Sequence, residues 1–445
     1  MQSFAPASIR RDMAAPTDPH GQLQLLTRNA AEVIPKEELG AKLERAAAEG
    51  RPLRVKLGLD PTAGEVTLGW AVVLRKLREF QDLGHTAVLI VGDFTARVGD
   101  PSGKSETRPR LSKEEVEANA EHVLGQFDKI LSKERLEIRY NSEWLEPMSM
   151  EDVLRMTSLY TVARMLERDD FAKRFAEQRP ISMMEFLYPL LQAMDSVNVR
   201  ADLELGGNDQ KFNLLVGREI QKDYGQEQQV VFTMPLLVGL DGTRVMGQSL
   251  GNYVGISEPP EDMFGKLMRV PDELIGQYLE LCTNHDPQEV ESVLGRLRSG
   301  ALHPNTVKRD MARDIVALYH GGEAAEAAEL EFDRVHKERG LPSDLQGTVA
   351  PVSLLEEFGG AEDPETRIPA WAIPSAIGLS ASRSEARRLL RQGGIRVNGE
   401  QIAEDRAFSP EELVDSVWQS GRRRFVRITG FAGEPPSRTQ VRPGR

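Results

Sequence analysis

A single cysteine, Cys282, stands in a chain of 445 residues. That excludes an internal disulfide and any zinc site built on several thiolates, and it suits a reducing, cytoplasmic setting. Long apolar runs are missing as well. Thr86 to Val91 is one of the longest, far short of the roughly 20 residues that cross a bilayer, so no membrane association is expected. The opening residues MQSFAPASIRRDMAAP carry no apolar signal core, and export is not expected either. Basic charge is in deficit: the formal net charge is -13. This argues against indiscriminate coating of nucleic acid and leaves room for a local basic patch.

What is present is organised around Arg54 to Arg108. Val55 to Leu59 is a short apolar run broken by Asp60-Pro61, which predicts a strand ending in a turn. From Thr67 onward Trp70, Val73, Leu74, Leu77 and Phe80 recur at steps of three and four, the period of a helix, and Gly84 supplies its stop. Ala87 to Val91 reads as a second buried strand. Strand, helix, strand is a parallel crossover unit. Such units hold ligands where strands end and helices begin, so the loops Asp60 to Gly69 and Gly92 to Lys104 should face one crevice.

The same stretch resembles the catalytic domain of bacterial tyrosyl-tRNA synthetases, a class I family. The likeness is carried by DPT, by VVLRKLREFQDLGH and by VGDFTARVGDPSGKSETR. Two signatures depart from it. The family's His-Leu-Gly-His is here Thr67-Leu68-Gly69-Trp70, and its Lys-Met-Ser-Lys-Ser loop is here Val245-Met246-Gly247-Gln248-Ser249.

Along the rest of the chain, residues 1 to about 20 lack periodicity and Leu23 to Ala48 reads as helical. A charged helix follows Ser112, with Glu114 and Glu115 in its first turn, as the helix dipole favours. Leu136 to Tyr140 reads as a strand, and Met150 to Phe175 as two helices. In the stretch from Ile181, Tyr188, Gln192 and Asp195 are spaced four and three apart and share one helix face. By spacing alone that face fits a pocket for a small polar ligand and fits a solvated surface equally well. Leu203 to Leu205 and Gln229 to Leu240 read as strands, with the turn Gly206 to Gln210 between them. After Pro259 the pattern is helical, with Pro271, Pro287 and Pro304 where helices would begin. Near the C-terminus Arg383, Arg387, Arg388 and Arg391 line one side of an amphipathic helix, and Ile395-Arg396-Val397 opens a strand with a turn at Asn398-Gly399. Spacing alone makes that a solvated basic face. The segment also resembles the small RNA-binding domain that ends bacterial tyrosyl-tRNA synthetases.

The resemblance implies the following expectations. The fold is α/β: a Rossmann-like, doubly wound parallel sheet in a catalytic domain over 21–257, then an α-helical, anticodon-binding-type domain over 258–360, a linker over 361–372 and a small α+β RNA-binding domain over 373–430. The ends, 1–20 and 431–445, are expected to be mobile. The activity is ATP-dependent joining of L-tyrosine to tRNA, with ATP as substrate, magnesium accompanying it, and no resident cofactor or structural metal. Asp195 would accept the phenolic hydroxyl; Tyr188, Gln192 and Asp100 would hold the ammonium group; Lys56, Thr95 and Gln210 would line the pocket. Asp60, Gly69, Lys104, Gly207, Asp209, Arg244 and Gln248 would face ATP, and Thr67, Gly69, Trp70, Met246 and Gln248 occupy the two signatures. Arg383, Arg387, Arg388, Arg391 and Arg396 would meet RNA. Met194 and Asn208 depart from the family near the pocket, allowing a close analogue of tyrosine as ligand. Arg244, Lys104 and Arg108 are cations that would stand in for the lost lysines. A homodimer is implied, with the segment of His122, Val123 and Phe127 as a candidate contact helix. The altered signatures keep a second reading open: a paralogue that binds tyrosine or an analogue with adenylation lost, slowed or redirected, as a sensor or toward a product without tRNA.

Overall fold

The computed structural model describes residues 18–62, 64–99, 112–336, 347–360, 363, 365–421 and 424–432. Contacts divide the chain into two units: residues up to Pro259 together with Leu267–Gly321, and Pro260–Lys266 together with the residues from Gly322 on.

The first unit is built on a six-stranded sheet. Its strands are β1 (Glu32–Ile34), β2 (Arg54–Leu59), β3 (Thr86–Val91), β4 (Leu136–Tyr140), β5 (Leu203–Gly207) and β6 (Val230–Met234), in the spatial order β1-β6-β5-β2-β3-β4. All neighbours run parallel except β1, which closes one edge antiparallel to β6. The expected Rossmann-like α/β fold is therefore present. β3 is aliphatic and almost wholly buried, as a strand covered on both faces must be. The Leu68–Asp82 helix buries Leu68, Ala71, Val72, Leu74, Leu77 and Phe80, and Gly84 leaves it with φ 91°, a conformation open to glycine. The Met183–Val199 helix begins at a capping box in which Ser182 and Glu185 bond each other's backbone. It packs against the Lys211–Asp223 helix and β2.

Several local readings are corrected. Leu23 to Ala48 is not one helix: Pro19–Leu26 and Lys36–Glu49 flank β1. Pro35 cannot continue a helix begun before it, and residues 32–34 find their partners on β6, far away in sequence. Met150 to Phe175 holds three helices, Met150–Ser158, Val162–Met165 and Asp169–Ala176. The Lys113–Phe127 helix buries Val123 and Phe127 within its own chain, so those two residues cannot form a contact surface. The exposed large apolar residues include Ile138, Tyr140, Met150, Leu154, Val162, Phe175 and Met183, on the edge strand β4 and the helical stretch after it.

Helices Ile275–Cys282, Pro287–Arg298 and Pro304–His320 complete the first unit, with prolines at the start of the last two. The second unit carries a five-stranded sheet in the order Glu400–Gln401, Ile395–Val397, Val417–Ser420, Arg424–Ala432, Gly347–Pro351. Its core holds Trp418, Ile373, Leu379 and Phe408, and also Ala350, Leu354, Ile368, Ala370 and Ala372. Residues 347–360, read from the sequence as the end of the helical domain, and the polar-looking stretch read as a linker thus supply apolar side chains to the small domain. No described helix is long and apolar enough to cross a membrane.

Candidate active site

The carboxyl ends of β2, β3, β4 and β5 deliver Asp60, Gly92, Asn141 and Gly207 to one side of the sheet. Asp60 is held from two directions: Thr95 donates to its Oδ1 at 2.7 Å and Tyr188 to its Oδ2 at 2.8 Å. Gly92 makes this possible. A Cβ there would fall 2.0 Å from Asp60 Oδ1 and 2.4 Å from Thr95 Oγ1.

Asp195 is buried at the inner end of the same group. The Trp144 indole donates to its Oδ1 at 2.9 Å and the Asn141 amide to its Oδ2 at 3.4 Å, while Asn141 also donates to Thr95 at 3.0 Å. Burial raises the Asp195 carboxyl to about 7, against the pull of the Lys56 charge and of the bonds from Trp144 and Asn141. Asn141 and Trp144 escaped the sequence reading. Their signal was position: they directly follow the C-terminal end of a parallel strand, where ligand-facing residues collect. Gln192, between Tyr188 and Asp195 on the helix, donates to Glu204 Oε1 at 3.0 Å and accepts from Asn213 at 3.1 Å. Asn213 also donates to Gln210 Oε1 at 3.2 Å. Lys56 is fully buried beneath this helix. Met194 packs in the apolar cluster on its inner side, and Asn208 accepts a hydrogen bond from Thr233.

The two altered signatures touch. Thr67 caps the Leu68–Asp82 helix, accepting from the Trp70 N–H at 3.4 Å. A Cβ on Gly69 would lie 3.5 Å from Met246 Cβ, so the second signature rests on the first. Gln248 donates its side-chain amide to the Glu65 carbonyl, and Asn252 accepts from Gly247 N–H at 2.9 Å. Val245 is 46% exposed. Arg244, expected to stand in for a lost lysine, turns to Asp241 at 2.8 Å. The Arg244 and Thr243 backbone amides and the Arg244 guanidinium hold that carboxyl at about 2, so Arg244 is already committed to a carboxylate. Gly207 is packed so closely that a Cβ would lie 2.6 Å from Asp209 Oδ1 and 2.8 Å from Leu236. Asp100, Lys104 and Arg108 lie outside the described residues.

The arginines of the second unit are mostly paired. Arg383 Nη1 donates to Glu357 at 2.6 Å, Arg391 holds Glu404 through bonds of 2.5 and 3.0 Å, and Arg387 lies 4.1 Å above the Trp371 ring. Arg396 donates to the Gly399 carbonyl at 3.0 Å. Arg388 is 3.8 Å from Glu385, with 61% of its side chain exposed.

The chain is similar to known proteins. A family model for class I tRNA synthetases (W and Y) matches residues 48–337, and one for the S4 domain matches 367–405. The tyrosine–tRNA ligase of Moorella thermoacetica is 48% identical over 92% of this chain and 96% of its own length. That of Thermotoga maritima is 48% identical over 93% and 98% respectively. Among solved structures, a tyrosyl-tRNA synthetase from Archaeoglobus fulgidus, complexed with L-tyrosine, superposes with a TM-score of 0.57 at 26% identity. It covers 70% of this chain and 100% of its own.

Proposed function

We propose that this chain, which belongs to the class I tRNA synthetases of the tryptophan and tyrosine group, is a tyrosine–tRNA ligase. The observation that carries the reading is Asp195: a buried carboxylate, oriented by Trp144 and Asn141, on the helix face it shares with Tyr188 and Gln192. A phenolic hydroxyl reaching Asp195 finds a preset acceptor. An amino acid without that hydroxyl leaves the acceptor unpaired, which is how such sites discriminate strongly. Tyr188 and Gln192 then offer oxygen acceptors to the amino group, Asp100 is assigned to the same role by resemblance, and Asp60, which accepts from Tyr188, is assigned to ATP.

The reaction needs alignment more than covalent help from the protein. A carboxylate oxygen of tyrosine forms a bond to the α-phosphorus of ATP, the bond to the bridging oxygen breaks, and pyrophosphate leaves. A tRNA hydroxyl then attacks the acyl carbon and releases AMP. The N-terminus of the Leu68–Asp82 helix favours phosphate, Gly69 lets the base approach, and Gln248 and Lys104 are assigned to the phosphates. Magnesium would come bound to the nucleotide, as its preference for phosphate oxygens and retained water allows. Among the described residues no group of three or more His, Cys, Asp or Glu side chains is placed to cage a metal.

The helical segment and the small C-terminal domain are assigned to tRNA, and the enzyme is placed in the cytoplasm as a homodimer. The exposed apolar residues on β4 and after it support that pairing. The alternative of a paralogue without adenylation rests on the two altered signatures alone. Tyrosine-dependent exchange of pyrophosphate into ATP, followed by charging of tRNA, tests the assignment; no exchange at saturating substrates would overturn it.

A further inference from the structure

Two opposite charges stand side by side in the middle of the sheet. Lys56 on β2 and Glu204 on β5 are register partners, both almost fully buried, with Nζ 2.8 Å from Oε1. Such a pair loses more in desolvation than it regains unless its other hydrogen-bonding positions are filled. Here they are. Lys56 also donates to Ser196 Oγ at 2.9 Å and to the Gln192 carbonyl at 3.0 Å, which uses all three of its protons. Glu204 also accepts from the Gln192 side chain at 3.0 Å, Ser196 at 3.1 Å and Gln229 at 2.5 Å.

We propose that Glu204 is a positioning residue for amino-group recognition, and that Lys56 serves Glu204 and the Met183–Val199 helix rather than the ligand. The inference rests on the reading that Gln192 meets the amino group of the amino acid. A glutamine side chain offers an oxygen at one corner and an NH2 at the other, and only the oxygen can receive an ammonium. A carboxylate accepts and never donates. By accepting from Gln192 Nε2, Glu204 fixes that corner inward. Gln192 Oε1 becomes the corner on offer, with one lone pair for Asn213 and one for the ligand. Lys56 supplies the opposite charge beside Glu204 and ties the helix backbone at Gln192 to β2.

The test is Glu204→Gln. It keeps the size of the side chain and lets residue 204 donate as well as accept, so Gln192 is free to flip. Calorimetry with three ligands separates positioning from packing: L-tyrosine; tyramine, which keeps the ammonium; and 3-(4-hydroxyphenyl)propionate, which lacks it. The expectation is a loss of roughly 10- to 100-fold for the two amines, the worth of a hydrogen bond to a charged group, with the propionate unchanged. Should the lone buried Lys56 prevent folding, Lys56→Met/Glu204→Gln removes it. Any effect of the lost charge on Asp195 then falls on all three phenols equally, and the same selective loss is expected. Equal weakening of all three ligands, or no weakening, would overturn the proposal. A wild type that binds no tyrosine would overturn the reading of the site beneath it.

Discussion

Tyr188 and Asp60, 128 residues apart in sequence, meet at 2.8 Å and join the Met183–Val199 helix to the loop after β2. With Thr95 on the other carboxylate oxygen, Asp60 is immobilised at the mouth of two strands. Gly92 is the residue whose smallness permits it. Gly92→Ala should push the carboxylate off both partners. Overpacking of this kind destabilises by about 1–3 kcal/mol, and tyrosine affinity should fall with it. Chemical denaturation and calorimetry together check this; an alanine variant with unchanged affinity would show that the Asp60 cluster does not serve the ligand.

Asp195 gives the site a pH dependence. Its carboxyl is raised to about 7, and the phenol is bound best by the ionised, accepting form. Tyrosine affinity should therefore hold above pH 7 and fall below it, approaching a tenfold loss per pH unit. Asp195→Asn should bind more weakly and lose that slope, and Asp195→Ala should bind hardly at all. A dissociation constant that is flat from pH 5.5 to 8.5 in the wild type would show that Asp195 does not accept from the ligand.

How much of this was legible in the sequence depended on whether the signal was local. The Met183–Val199 helix was legible through the spacing of its polar triad. β1 was not, because three residues before a proline become a strand only when β6 lies beside them. Glu204 was visible but unread: a lone charge inside Leu203 to Leu205, like Lys56 inside Val55 to Leu59, needs an opposite charge across the ladder. Arg244 reads as a spare cation in the sequence, and only the folded loop brings Asp241, three residues away, against it. The apolar contribution of Ile368, Ala370 and Ala372 to the small core was hidden by polar neighbours.

Gln248 ties the second signature to the Glu65 carbonyl, beside the cap of the Leu68–Asp82 helix. Removing a neutral hydrogen bond of this type should slow adenylation by roughly tenfold in Gln248→Ala and leave tyrosine affinity alone, since the contact lies on the nucleotide side. Charged donors bind phosphate more strongly than neutral ones. The combined variant Thr67→His, Trp70→His, Val245→Lys and Gln248→Lys should accordingly raise the activation rate more than it alters tyrosine binding. Pyrophosphate exchange measured on the three proteins decides. A Gln248→Ala enzyme as fast as wild type would mean that the latch has no part in activation.

His85 should contribute to acid sensitivity. It is buried, accepts from the Leu53 N–H at 3.2 Å through Nδ1, and its Nε2 meets no hydrogen-bond partner among the described residues. Burial, with Arg135 nearby, lowers it from 6.5 to about 4. Between those values the unfolded chain binds a proton that the folded chain refuses, so stability falls as pH drops from 6.5 toward 4. The full shift corresponds to about 3 kcal/mol at 1.36 kcal/mol per unit. His85→Gln should flatten that part of the profile. Denaturation followed between pH 4.5 and 7.5 checks it, and parallel profiles for wild type and variant would exclude His85 as the cause.

The arginine helix makes the last prediction, because its members are not equally free to meet RNA. Arg383 is held by Glu357 and Arg391 by Glu404, while Arg387 lies over Trp371. These are exposed pairs, weak enough for phosphate to displace, but the displaced carboxylate then stands near the RNA. Arg388 carries only a loose contact with Glu385. Arg388→Ala should weaken tRNA binding and lower the slope of log affinity against log salt by about one phosphate contact. Glu404→Gln should do the reverse at low salt, since it releases Arg391 and removes a charge that repels the backbone. Binding titrations at several salt concentrations distinguish the two effects. If both variants kept the wild-type slope, this helix would not be where the RNA lies, and the neutralising contacts of Glu357 and Glu404 would be simply its ordinary surface.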